Sequence, residues 1–113
     1  MLIKKGNSTK IKNSETCYVW DYNFSNKNLG FATAKINGRY PEKGMALNVE
    51  CDEIYFVISG SGIVHNQEGK FEIEAGDALL LSKGKHYWVE GKELFITLPS
   101  SPAWNVEQYK IVE

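Results

Sequence analysis

The side chains best equipped for chemistry in this chain are Asn48, Glu53, His86 and Tyr87. Glu53 opens an apolar run, Ile54-Tyr-Phe-Val-Ile58, and Asn48 stands a few positions before it. General acid–base catalysis needs two such groups in reach of one substrate proton. Glu53 as base with Tyr87 or His86 as acid would meet that need, giving a metal-free isomerase or lyase. Asn48, Glu53 and His86 together would also make a metal site, but a weak one, because an amide oxygen is a poor ligand for iron, zinc or nickel. The chain has only 2 His and 2 Cys. His65 precedes a hairpin loop, where exposure is expected, and Cys17 and Cys51 lie too far apart for a zinc-site spacing or a disulfide framework. No tightly bound metal and no cofactor is the expectation, with a divalent ion as the alternative.

These residues have to be held by strands, because the pattern reads strand after strand. The clearest period-2 signal is Lys70-Phe-Glu-Ile-Glu74, apolar on one face and charged on the other. It pairs naturally with Gly62–Asn66 across Gln67-Glu-Gly69. Further strands are expected over Glu15–Tyr22, Leu29–Ile36, Met45–Val49, Glu53–Ser59, Ala78–Leu81, Tyr87–Val89 and Leu94–Leu98. Glu53–Ser59 and Ala78–Leu81 are expected at the centre of the sheet. Asn37-Gly38 reads as a turn and Arg39–Gly44 as a connecting loop. On the Met45–Val49 strand, alternation puts Ala46, Asn48 and Glu50 on one face and Cys51 on the other. The one helical candidate is a single turn at Asn105–Gln108, capped by Asn105. Roughly nine short strands with turn signals between them predict an all-β sandwich or barrel.

Size and charge narrow the partners. At 113 residues the chain is read as one domain, 1–113, able to bury roughly two-thirds of its unfolded surface. A net charge of -1 gives no electrostatic reason for a nucleic-acid or membrane partner. The first residues lack an apolar signal-peptide region, and no window approaches the ~20 apolar residues of a membrane span. A cytoplasmic protein with two free thiols is the expectation.

Two spacings, Glu53-x6-Gly60 and Gly76 to Gly84 with Ser82 in a usual proline slot, resemble the two halves of the cupin signature. They cover motif regions at about 44–62 and 76–89. The resemblance implies a double-stranded β-helix, or jelly-roll barrel. In metal-binding cupins two histidines precede the glutamate and a third follows the second motif. Here those slots fall on Ala46 and Asn48 (or Leu47 and Val49) and on Tyr87, beside His86, so the metal-ligand histidines are eroded. Gly38-Arg-Tyr-Pro41, the Asn48–Glu53 pair and Pro102-Ala-Trp104 with Gln108 are similar to features of small single-domain bacterial cupins. Such cupins generally pair as homodimers, which the resemblance extends to this chain.

Three functions remain open at this level. The leading one is a barrel that binds a small molecule without a tight metal, with Arg39, Tyr40, Asn48, Glu53, Tyr55, His86, Tyr87, Trp104 and Gln108 as candidate ligand contacts. Aromatic walls with a few polar groups are a usual small-ligand site. The second is an enzyme, either metal-dependent and oxygenase-like or the metal-free isomerase or lyase. The third is a structural dimer whose cavity is filled by Tyr55, Tyr87 and Trp104.

Overall fold

The computed structural model describes residues 1–113. Ten strands form: β1 (Thr9–Ser14), β2 (Cys17–Tyr22), β3 (Phe31–Tyr40), β4 (Met45–Asn48), β5 (Asp52–Asn66), β6 (Gly69–Glu74), β7 (Ala78–Leu81), β8 (Tyr87–Thr97), β9 (Ser100–Ser101) and β10 (Tyr109–Val112). Every strand pairing is antiparallel, and the sheet curls on itself into a jelly-roll barrel. The only helical pieces are two short 3₁₀ turns, Lys5–Asn7 and Val106–Gln108. No helix is long and apolar enough to cross a membrane.

β8 lies between β3 and β5, and these three strands supply the solid half of the interior. Val57 and Val64 from β5 and Val89, Leu94 and Ile96 from β8 are each at most 1% exposed. Burial of each such side chain is worth about 1.5–3 kcal/mol. Strand alternation selects them: Tyr55 and Val57 point inward, while Ile54, Phe56 and Ile58 point out and stay exposed. Across the β5–β7 pairing Leu80 stands opposite Ile54, which extends the outward apolar row. β5 is thus apolar on both faces, unlike a strand with one face in water.

The structure corrects several expected boundaries. Glu53–Ser59 and Gly62–Asn66 belong to one strand, and so do Tyr87–Val89 and Leu94–Leu98 up to Thr97. Glycines read as breaks are places where long strands cross closely and shift register. Asn37-Gly38 is likewise no hairpin turn but an irregularity inside β3. Its side chain is used to hold Glu93, whose N–H donates to Asn37 Oδ1 at 3.1 Å. β7 pairs with β5 alone, so it is an edge strand and not a central one. β1, which carries Lys10 and Lys12, is a strand not among those expected from the sequence. Ile111 and Val112 pair with Ala46 and Met45 of β4 within the chain, while their side chains stay exposed.

Gly60 controls the bend of β5. It sits at φ 75°, and a Cβ there would overlap the carbonyl oxygen of Glu93 on β8. Gly76 has a comparable φ of 93° but open space where its Cβ would be. Left-handed φ alone costs about 1–2 kcal/mol in a non-glycine residue. Gly76→Ala should therefore cost that much, whereas Gly60→Ala should cost roughly 3 kcal/mol or more through the added backbone collision. In thermal melts the fall in Tm should be about 1.5- to 3-fold larger for Gly60→Ala. Equal falls would show that the β5–β8 crossing does not need a glycine.

Candidate functional site

The open half of the barrel encloses a cavity of about 210 Å³, and Glu53 forms part of its wall. Glu53 enters at the start of β5, where backbone pairing to Leu81 of β7 and Ser100 of β9 fixes the strand. Its side chain is buried, with 7% of the residue exposed. One carboxylate oxygen, Oε1, accepts a hydrogen bond from Asn48 Nδ2 at 3.4 Å.

That amide cannot turn freely. Asn48 Oδ1 accepts from Trp104 Nε1 at 3.1 Å and from Gln108 Nε2 at 3.0 Å, which leaves its NH₂ to face Glu53. Gln108 is fixed in turn, because its Oε1 accepts the backbone N–H of Glu50 at 3.1 Å and of Cys51 at 3.4 Å. The turn carrying Gln108 is capped by Asn105, whose Oδ1 accepts the Gln108 backbone N–H at 3.2 Å. A chain of buried amides therefore runs from the C-terminal segment to the carboxyl. Buried polar groups without partners are costly, and here each has one.

Tyrosines surround the carboxyl. Tyr55 and Tyr87 pack edge to face at 6.1 Å between ring centroids. Tyr40 and Tyr109 share a hydrogen bond between their hydroxyls, and Trp104 tilts against Tyr109 at 5.5 Å. Toward the mouth the walls carry Asp21, Asn23, Asn26 and Leu29.

Burial dominates the electrostatics. It pushes the Glu53 carboxyl up to about 7, with the Asn48 hydrogen bond acting the other way. Burial also raises Tyr55 and Tyr87 well above the usual phenol range and Tyr40 to about 12, so these hydroxyls stay protonated at neutral pH. The Cys17 thiol, also in the wall, is pushed to about 12, and Asp21 is raised by partial burial. The result is one carboxyl able to take and return a proton near neutrality, among neutral hydrogen-bond donors.

Of the residues singled out in the sequence, Tyr40, Glu53, Tyr55, Tyr87 and Trp104 line this cavity. Tyr55, Tyr87 and Trp104, which would plug the cavity under the structural-dimer alternative, are part of its walls. Asn48 and Gln108 stand behind Glu53 and Trp104 and act through them. Arg39 is not a cavity residue. Its guanidinium donates to the carbonyls of Pro41, Glu42 and Gly44 at 3.1–3.3 Å and lies 4.2 Å from the Trp88 ring centroid, clamping the loop before β4. His86 sits outside as well, with its Nδ1 against Gln67 Nε2 at 3.3 Å. Strand alternation gives the inward position to Tyr87, which is 3% exposed. Glu50 does not share the face of Ala46 and Asn48, because the chain bends after β4, turning Glu50 outward and Cys51 into the core.

Sequence reasoning missed Tyr109, Asp21 and Asn13 as cavity residues. The signal for Asp21 was present: Cys17, Val19 and Asp21 alternate along β2, and all three face the cavity. Tyr109 is placed only by the β10–β4 pairing, which no local pattern announces.

A cupin metal does not fit these side chains. The histidine slots hold Ala46, a fully buried methyl, and Asn48, whose amide is already committed to three protein partners. No group of three or more His, Cys, Asp or Glu side chains is arranged to hold an ion.

No family model and no curated protein matches the sequence. Solved structures do match. The nucleoside dehydratase Pac13 superposes with a TM-score of 0.89 at 16% identity, over 100% of this chain and 91% of its own. A variant of this Streptomyces protein solved with uridine gives the same score and identity, over 100% and 90% of the two chains. KdgF from Halomonas sp. gives 0.75 at 13% identity, over 90% and 94% of the two chains. Ectoine synthase from P. lautus gives 0.74 at 12% identity, over 100% and 91%. At such identities the likeness is one of fold, and the fold of this chain is the cupin-type jelly-roll barrel.

Proposed function

We propose that the barrel binds a small metabolite in its cavity and that Glu53 carries out metal-independent proton transfer on it, of the lyase or isomerase class. The observation behind this reading is Glu53 itself, a buried carboxyl on the cavity wall held up to about 7. A base is most useful when its pKa lies near working pH. In an elimination, the ionised carboxylate takes a C–H proton, the electron pair forms a carbon–carbon double bond, and the departing hydroxyl leaves as water on receiving a proton. Tyr87 is a poor source of that proton, because burial holds its phenol so high. Glu53 returns it, while Tyr55 and Tyr87 donate hydrogen bonds to charge developing on the substrate. The dehydratase activity of Pac13, a structural neighbour, agrees with elimination of water.

Glu53→Gln is the test of this role, since it keeps the shape and the acceptor for Asn48 Nδ2 but removes the base. Nucleosides including uridine, and sugars, would be incubated with the protein and scored by mass spectrometry for loss of one water. Glu53→Gln should lower turnover by about 10²-fold or more and leave ligand uptake in native mass spectrometry intact. A chelator should change neither. Undiminished turnover in Glu53→Gln would overturn the base assignment. Uptake with no turnover in the wild type would reduce the protein to a binder.

The raised carboxyl also fixes a pH dependence of stability. Between its usual value of 4.5 and about 7, the folded state holds a proton on Glu53 that the unfolded state has lost. Stability from this group is therefore complete below 4.5, falls as pH rises, and levels off above about 7. The total is about 3 kcal/mol as an order of magnitude. Urea titrations at pH 5 and pH 8 should give a lower unfolding free energy at the higher pH, and Glu53→Gln should flatten that difference.

We further infer a homodimer formed through the outer face of β5 and β7. Ile54, Phe56, Ile58 and Leu80 are 38–56% exposed in one row, a patch that a second copy would cover. Sedimentation should give twice the chain mass of 12.8 kDa, falling to the chain mass in Phe56→Glu/Ile58→Lys.

A further inference from the structure

We propose that the cavity selects its ligand by charge, admitting uncharged, hydroxyl-bearing or cationic metabolites and rejecting phosphate esters and carboxylic acids. The inference rests on the reading of this cavity as a ligand site, but not on any catalytic role for Glu53. None of the 24 residues lining it is Lys, Arg or His, while two, Asp21 and Glu53, are acids. Proteins bind phosphates and carboxylates with charge-assisted donors, above all bidentate arginine, or with free backbone N–H groups at a helix start. Neither is offered here. Arg39 is spent on three loop carbonyls outside the cavity, and Lys27 of the mouth loop is not among the lining residues. The one helical turn near the site has three residues, and its N-cap is filled by Asn105. An anion entering would leave water for a wall of neutral phenols and acids, with no counter-charge to offset the loss.

A neutral hydroxylated molecule meets the opposite situation. Tyrosine hydroxyls and the amides of Asn13 and Asn23 can donate and accept, and the Trp104 and Tyr22 rings offer flat apolar walls. A cation would find carboxylates to pair with.

Cys17 supplies a readout that needs no knowledge of the ligand, because its thiol faces the cavity wall and is otherwise buried. Methanethiosulfonate reagents convert a thiolate to a mixed disulfide with loss of methanesulfinate, and exist as neutral (methyl), cationic (trimethylammonioethyl) and anionic (sulfonatoethyl) forms. Labelling would be followed by mass spectrometry at pH 8.5 in Cys51→Ala protein, each rate divided by that of the same reagent on free cysteine. The neutral and cationic reagents should label Cys17 at least 10-fold faster than the anionic one. Asp21→Asn/Glu53→Gln should narrow that ratio, and Leu29→Arg at the exposed mouth should speed the anionic reagent. Comparable rates for all three in Cys51→Ala protein would overturn charge selection while leaving the cavity reading intact. Failure of even the small neutral reagent at both pH 8.5 and pH 10.5, where the thiolate fraction rises about 100-fold, with Cys17 reactive in urea, would instead show that small molecules do not enter, and both readings would fall.

Discussion

A carboxyl group enclosed in a barrel is the constraint on which the rest of this structure turns. Burial alone would make the ionised form of Glu53 very unfavourable. What moderates it is a single hydrogen bond from Asn48, and that bond exists only because two other donors hold the amide in one orientation. Trp104 and Gln108 both come from the segment after β9, so the last part of the chain completes a site whose central residue lies near its middle. The pairing of β10 with β4 brings Tyr109 opposite Asn48 and places these donors together. A partly satisfied buried network is worse than none. The capped turn at Val106–Gln108 is therefore part of the site's construction.

The two halves of the barrel divide the work. In one, aliphatic side chains from β3, β5 and β8 fill the interior to full burial and give the fold its stability. In the other, the rings of Tyr40, Tyr55, Tyr87 and Tyr109 stand among aliphatic walls such as Val19, Ala34 and Ile36, and the Tyr40 and Tyr109 hydroxyls bond to each other. The strand that joins the halves is β5, bent at Gly60 so that it serves both.

The chemistry this geometry supports is that of protons. Where a metal-binding cupin would present imidazoles, this barrel offers a methyl, an amide held on both ends and a phenol kept protonated by burial. Those groups donate hydrogen bonds and shape space, but they do not donate electron pairs to a transition ion. The carboxyl among them is tuned by desolvation, not by a neighbouring charge, since no cation lines the cavity. The wall beside it likewise offers no side-chain cation.

The sequence by itself determined the all-β architecture, most strand positions and the pairing of Glu53 with Asn48, because these depend on local alternation and on short spacings. It also identified Asn105 as a cap and Tyr87 as the residue that alternation turns inward. It misjudged Arg39 and His86, whose types promise chemistry but whose surroundings do not: one is saturated by loop carbonyls, the other lies just before β8, outside the cavity and against Gln67. It misjudged glycines as strand ends because a close crossing of strands needs a residue without a Cβ as much as a turn does. Tyr109 and the hydrogen bonds that join Asn48 to Gln108 were decided by tertiary structure alone, as was the cavity toward which the legible alternation of β2 turns Asp21. Their roles come from pairings between distant strands, β10 with β4 and β2 with β3, and from burial, which only the closed barrel supplies.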